Sequence, residues 1–138
     1  MNDRKIFKRE LLSMAEEARK NSYSPYSGIT VGAALLAKSG KIYLGTNVEN
    51  VSYSPSLCAE RCAFGAAITA GEREFSAIAV VGGKAGEPPE KFFSPCGVCR
   101  QVMAEMCGKE FEIILSEDDS FTLSELLPLG FDFGKKKK

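Results

Sequence analysis

The stretch ITVGAALLAKSGKIYLGTNV, residues 29–48, decides the architecture of this chain. It holds two apolar, β-rich runs, Ile29 to Ala37 and Lys41 to Val48, joined by Lys38-Ser39-Gly40. A short glycine-containing link between two such runs marks a β-hairpin. Ahead of it, residues 3–20 carry Phe7, Leu11, Met14 and Ala18 at helical spacing with charges between them. This amphipathic helix gives out at Asn21, before the turn-rich segment 22–28. Behind the hairpin comes a second loop, Glu49 to Leu57, then an alanine-rich helical stretch from Cys58 to Ala70 closed by Gly71. Ala77 to Val81 is continuously apolar, as a strand buried on both faces is, and Gly82 to Phe93 with its two prolines reads as a loop. Pro95 opens a helix that runs to Met106 or Cys107 and stops at Gly108. Glu110 to Leu115 is predicted as a strand, Ser120 to Leu123 as a short one, and Ser124 to Leu127 as a single helical turn before Pro128. The order α, β, β, α, β, α, β, β, α predicts an α/β fold with a mixed five-stranded sheet sandwiched by helices.

At 138 residues the chain has room for one domain with a proper core. That domain is expected to span residues 1–134, with 135–138 as a disordered lysine tail. Positive and negative side chains balance at 18 each, but four of the positive ones are Lys135 to Lys138, so the body is acidic. A basic stripe for nucleic acid is therefore missing. No apolar run approaches the ~18 residues of a membrane-spanning helix. Met1 to Arg9 is charged and lacks the apolar stretch of a secretory signal. These features predict a cytoplasmic protein whose five cysteines remain thiols unless a metal takes them. An odd cysteine count also speaks against a disulfide framework.

The chemistry is concentrated in Cys58-Ala59-Glu60 and in Pro95-Cys96-Gly97-Val98-Cys99, in a chain without histidine. Both cysteine groups fall at predicted helix starts, where unpaired backbone N–H groups favour an anion and ease thiolate formation. Cys96 and Cys99 are three apart, so a first helical turn puts both sulfurs on one face, and Cys58 arrives from the other helix. Three thiolates hold one Zn²⁺ and leave a fourth tetrahedral position for water, the pattern of a catalytic site. The expected cofactor is one zinc per subunit. Zn²⁺ with three thiolates sums to −1, so something positive must offset it. Arg61 and Arg100, each adjacent to a ligand, are placed to hydrogen-bond the thiolates from behind.

Glu60 is two residues from Cys58, which in mid-helix would turn it away; in the first turn both side chains project past the helix end into the same space. A carboxylate there also suits the helix dipole. Without histidine a zinc-bound water has few other proton acceptors, so Glu60 is read as the general acid and base. Cys62, one turn below Cys58, either closes a four-thiolate structural site or packs as a small apolar residue, and packing is the reading adopted. Cys107 has no partner at metal spacing and is given no role.

Cys-Ala-Glu-Arg at 58–61 with Pro-Cys-Gly-x-Cys-Arg-Gln at 95–101 resembles the zinc-dependent cytidine deaminases of the short homotetrameric type. The resemblance extends to residues 23–34 (YSPYSGITVGAA), to Gly45-Thr46-Asn47-Val48-Glu49-Asn50, and to Leu126-Leu127-Pro128. It implies a three-layer fold and hydrolytic deamination of cytidine and 2′-deoxycytidine to the uridine forms, in pyrimidine salvage. Water activated at zinc would attack C4 of the cytosine ring, and Glu60 would move the protons. It further implies that Asn47 and Glu49 hydrogen-bond the ribose hydroxyls, and that Ala59, through its backbone, and Glu60 read the pyrimidine edge. Phe131 would reach into a neighbouring subunit's site and cover the base, with Phe133 as the competing ring. Many relatives carry a phenylalanine against the base where this chain has Ile29, which packs on a pyrimidine face without aromatic stacking. The partners implied are a small nucleoside and three further copies of the chain. Two rival readings are a deaminase of a nucleoside-like antibiotic such as blasticidin S and a non-catalytic zinc-binding module using Cys62. The Asn-Val-Glu-Asn string favours cytidine over the antibiotic. Editing of single-stranded nucleic acid is disfavoured by the acidic body.

Overall fold

The computed structural model describes residues 3–91 and 93–132. The lysine tail, the domain boundary at 134 and Phe133 lie outside the described residues. Helix α1 spans Asp3–Arg19, strands β1 and β2 span Ile29–Ala37 and Ile42–Thr46, and helix α2 spans Ala59–Thr69. Strand β3 (Phe75–Lys84), helix α3 (Gly97–Met106), the short strands β4 (Glu112–Ile114) and β5 (Ser120–Thr122), and the single-turn helix α4 (Leu123–Leu126) follow. The element order is the one expected.

The five strands form one sheet in the order β2-β1-β3-β4-β5. All neighbours are antiparallel except β3 and β4, which pair in parallel because α3 carries the chain back across the sheet. Successive residues of a strand face opposite sides, and here both sides are covered. Leu11 and Ala15 of α1 pack on Ala34, Ala77, Ala79 and Ile114. On the other face, Phe64 of α2 and Met103 of α3 pack on Val31, Leu35, Ile78, Val80 and Ile113. Burial on both faces is why β1 and β3 read as continuous apolar runs and not as alternating ones. Phe64 lies edge-on to Phe75 at 5.1 Å between ring centroids and anchors the second face.

One expectation is corrected. Strand β3 does not stop at Val81 but continues through Gly82 and Gly83, which pair with Val31 and Thr30. The glycines concealed the strand because their value lies in what they admit: a Cβ at Gly82 would stand 2.8 Å from the ring of Phe93. Phe93 is thereby seated on the sheet three residues before Cys96.

Two further close approaches orient the helices. A Cβ at Gly32 would fall 1.9 Å from the carbonyl oxygen of Ala15, and one at Gly45 would fall 2.2 Å from that of Ala59 and 2.6 Å from the Ala63 nitrogen. Glycine in β1 thus lets α1 lie close on one face, and glycine in β2 lets α2 lie close on the other. The second contact sets where the first turn of α2 stands.

Candidate active site

Cys58 and Cys96 are the N-cap residues of α2 and α3, both with extended backbone (φ −77°, ψ 153° and φ −70°, ψ 168°). Neither sulfur is used as a cap, so both remain available to an outside partner while the carbonyls take the first helical bonds from Cys62 and Arg100. With Cys99 inside the first turn of α3, the three sulfurs lie within 4.8 Å of one another. Cys58 Sγ is 3.9 Å from Cys96 Sγ, and Cys96 Sγ is 3.6 Å from Cys99 Sγ. Three thiolates at about 2.3 Å from a tetrahedral Zn²⁺ stand about 3.8 Å apart, so the donor set fits the ion in chemistry and in spacing. Among the described residues this is the one group of three or more such ligands.

The electrostatics are those of an anion site between two helix N-termini. Cys58 is lowered from 9.0 to about 5, chiefly by the Cys99 thiol that shares its proton, with Arg61 and Cys96 assisting. The same sharing, with burial, pushes Cys99 far up. Arg61 Nη2 donates to Cys58 Sγ at 3.5 Å, and that contact raises the arginine further. The Nε of Arg61 is buried without a hydrogen-bond partner among the described residues. A buried donor left over beside a thiolate cluster suits a centre that carries net negative charge.

Glu60 is 4% exposed. Burial raises it from 4.5 to about 7, and the neighbouring Cys58 charge adds to the shift while the Cys99 thiol opposes it. A carboxyl poised near neutrality beside three thiol ligands can both accept and return a proton.

The remaining residues singled out from the sequence divide into two groups. Ala59 is fully buried at the start of α2. Asn47, just past β2, accepts from Val31 N at 2.9 Å and from Ser22 Oγ at 2.6 Å, and its Nδ2 donates to the Ile29 carbonyl at 2.8 Å. Its carboxamide thus continues the β2 ladder along β1 as a backbone amide would. Glu49 accepts from the backbone N–H groups of Tyr26 and Ser27 at 3.0 and 3.1 Å, and from the Ser27 hydroxyl. The Ser27 hydroxyl foremost, then the two N–H groups, hold its carboxyl below the ordinary range. Ile29 is half-buried at the mouth of β1, against the α2 face of the sheet.

Two residues sit elsewhere. Arg100 donates to the carbonyls of Pro95 (2.8 Å) and Leu126 (2.5 Å) and to Ser94 Oγ (2.6 Å), so it braces α3 against α4 and touches no sulfur. Phe131 is largely exposed and borders a cleft of 1140 Å³ with Phe75, Cys107 and Leu127 at the C-terminal end of α3, whereas the sulfurs gather at its N-terminal end. Cys62 stays outside the sulfur group: it is half-buried one turn into α2, and its Cβ lies 3.1 Å from where a Cβ at Gly45 would stand. Cys107 is buried in the core. Arg19, buried at the end of α1 and bonded to β1, was missed because an arginine on an amphipathic helix reads as surface charge.

Comparison with known proteins agrees with this geometry. A model of the cytidine and deoxycytidylate deaminase zinc-binding region matches residues 5–115. The cytidine deaminase of Sporosarcina psychrophila is 44% identical over 126 residues, covering 88% of this chain and 89% of its own, and that of Halalkalibacterium halodurans is 44% identical over 125 residues, covering 88% and 91%. The crystal structure of cytidine deaminase from Burkholderia pseudomallei superposes with a TM-score of 0.80 at 42% identity, covering 95% of this chain and all of that one. The Mycobacterium tuberculosis enzyme gives 0.80 at 38%, covering 90% and 96%. Matched by that family model over most of its length, and by relatives of this identity and coverage, the chain belongs to the family of zinc-binding cytidine and deoxycytidylate deaminases.

Proposed function

We propose that the protein hydrolyses cytidine and 2′-deoxycytidine to uridine and 2′-deoxyuridine with release of ammonia. The observation that carries this reading is a buried Glu60 beside three sulfurs spaced for zinc. Cys58, Cys96 and Cys99 would hold the zinc, which when bound supplies a Lewis acid that lowers the pKa of water. Glu60 takes the proton of the attacking water, delivers it to N3 of the ring, and protonates the departing amine. Arg61 offsets the charge of the thiolates.

Nucleoside recognition follows from what the anchored side chains keep in reserve. After its bonds to Val31, Ser22 and Ile29, Asn47 retains one amide N–H, and Glu49 retains a lone pair beyond those used by Tyr26 and Ser27. A donor and an acceptor fixed this way suit a sugar hydroxyl. Ala59 and Glu60 read the pyrimidine edge, and Ile29 packs on its face. Phe131 covers the base of a neighbouring copy in a homotetramer. Exposed Tyr23, Val48 and Leu57, brought side by side by bridge pairing, support such an assembly. The protein acts in the cytoplasm, where thiols stay reduced.

Glu60→Gln tests the reading directly. Zinc content should persist at one per subunit while cytidine turnover, followed by absorbance, falls by about 10³-fold or more. Retained turnover would remove Glu60 from the mechanism. Sedimentation of the wild-type protein checks the tetramer.

A further inference from the structure

Arg19 closes α1 and is 4% exposed, the most deeply buried arginine among the described residues. Burying a guanidinium is costly unless its donors are met, and here every nitrogen is engaged. Nε donates to the Thr30 carbonyl at 3.1 Å and to Thr30 Oγ1 at 2.8 Å. Nη2 donates to the carbonyls of Lys84 and Glu87, both at 2.9 Å, and Nη1 pairs with Glu16 at 3.1 Å. Thr30 Oγ1 in turn donates to the Gly83 carbonyl at 3.1 Å.

Attachment of α1 to the sheet does not require this cation. Leu11 and Ala15 are already fully buried against the sheet, and the backbone contact at Gly32 seats the helix directly. What Arg19 holds is the mouth of β1. Asn47 grips Ile29 and Val31 from the β2 side, and Arg19 grips the intervening Thr30 from the α1 side. Because side chains alternate along a strand, Ile29 and Val31 face the α2 side of the sheet, while Thr30 faces α1. The height at which Ile29 stands beneath a bound ring is therefore set from the opposite face of the sheet. The linkage continues, since Ile29 N donates to Ser27 Oγ at 3.0 Å and Ser27 holds the Glu49 carboxylate.

We infer that Arg19 is a positioning residue for nucleoside binding, which fixes Ile29 and, through Ser27, Glu49 without touching the zinc ligands or Glu60. This rests on the nucleoside reading above. The ligands and Glu60 are carried by α2 and α3, to which Arg19 makes no hydrogen bond, so its loss separates substrate binding from the chemical step.

Arg19→Met, compared with the wild-type zinc enzyme, should raise KM for cytidine by about tenfold while kcat per zinc-loaded subunit stays within about twofold. Arg19→Lys should fall between the two, because a compact ammonium cannot span carbonyls on three segments as a planar fork does. Thr30→Val, which replaces the hydroxyl by a methyl and leaves the Thr30 carbonyl bond in place, should raise KM in the same direction by a smaller factor, and it decides the matter if Arg19→Met does not fold. An unchanged KM, with only kcat or the melting temperature lowered, would overturn the inference in favour of a purely structural arginine. A wild-type protein that does not convert cytidine would instead sink the nucleoside reading, and this inference with it.

Discussion

Gly45 lies so close beneath Ala59 that a Cβ at position 45 would stand 2.2 Å from the Ala59 carbonyl oxygen. The obstructing atom is helix backbone and has no rotamer through which to retreat. Ala59 sits between Cys58 and Glu60, so any displacement here moves the proposed zinc ligand and the proposed proton carrier together. Gly45→Ala should destabilise the fold by about 1–3 kcal/mol through overpacking. It should also lower kcat/KM by about 10²-fold through displacement of the site. Denaturant unfolding and steady-state kinetics read the two effects separately, and unaltered kinetics would show that α2 is not indexed by this contact.

The cysteines should separate by position and not by residue type. Cys99→Ser or Cys58→Ser should reduce bound zinc well below one per subunit, measured after gel filtration, because each removes one of three clustered sulfurs. Cys62→Ser should leave zinc content intact, since its sulfur lies outside that group. Loss of zinc from the Cys62 variant would revive the four-thiolate alternative.

Arg61 faces Cys58 with Nη2 and leaves a buried Nε for the same anionic neighbourhood. Arg61→Met keeps most of the apolar stem and deletes the charge. Metal affinity or kcat is expected to drop by about 10–100-fold. Arg100→Met is the control: with its donors spent on Pro95, Leu126 and Ser94, its loss should lower thermal stability and leave the affinity for zinc near the wild-type value. A chelator competition assay reads both variants.

Glu49 supplies a pH dependence whose sign can be worked out. Its carboxyl is held below the ordinary 4.5 by the Ser27 hydroxyl and the two N–H groups. A depressed pKa means that the folded state binds the proton less readily than the unfolded one. The stabilisation is therefore complete above the unfolded value and is lost as pH falls through the lower folded value. Melting temperatures of wild type and Glu49→Gln should differ at neutral pH and converge in acid below 4.5. A constant difference across that range would exclude ionised Glu49 as the anchor of the 26–27 loop.

Much of this was legible in the chain because its signals are local. Helical spacing in residues 3–20, the Lys38-Ser39-Gly40 link and the two cysteine groups each depend on neighbours a few residues apart, and each appears at its expected place. The errors share one physical origin. Gly82 and Gly83 read as loop because a glycine's role in a strand depends on what approaches it, here Phe93 and Arg19. Arg100 was aimed at the thiolates because adjacency to Cys99 says nothing of direction, and its carbonyl partner Leu126 lies 26 residues away.

Residue type and spacing along the chain are enough to specify three thiolates at two helix starts and a carboxyl beside them, since helix geometry alone dictates which side chains share a turn. Folding was needed to bring the two starts together at 3.9 Å and to raise Glu60 by enclosing it. It was also needed to pair Arg61 with Cys58 and to turn Asn47 and Arg19 into opposing grips on β1. Those outcomes depend on desolvation and on contacts between distant segments, and neither is encoded in any short window of sequence.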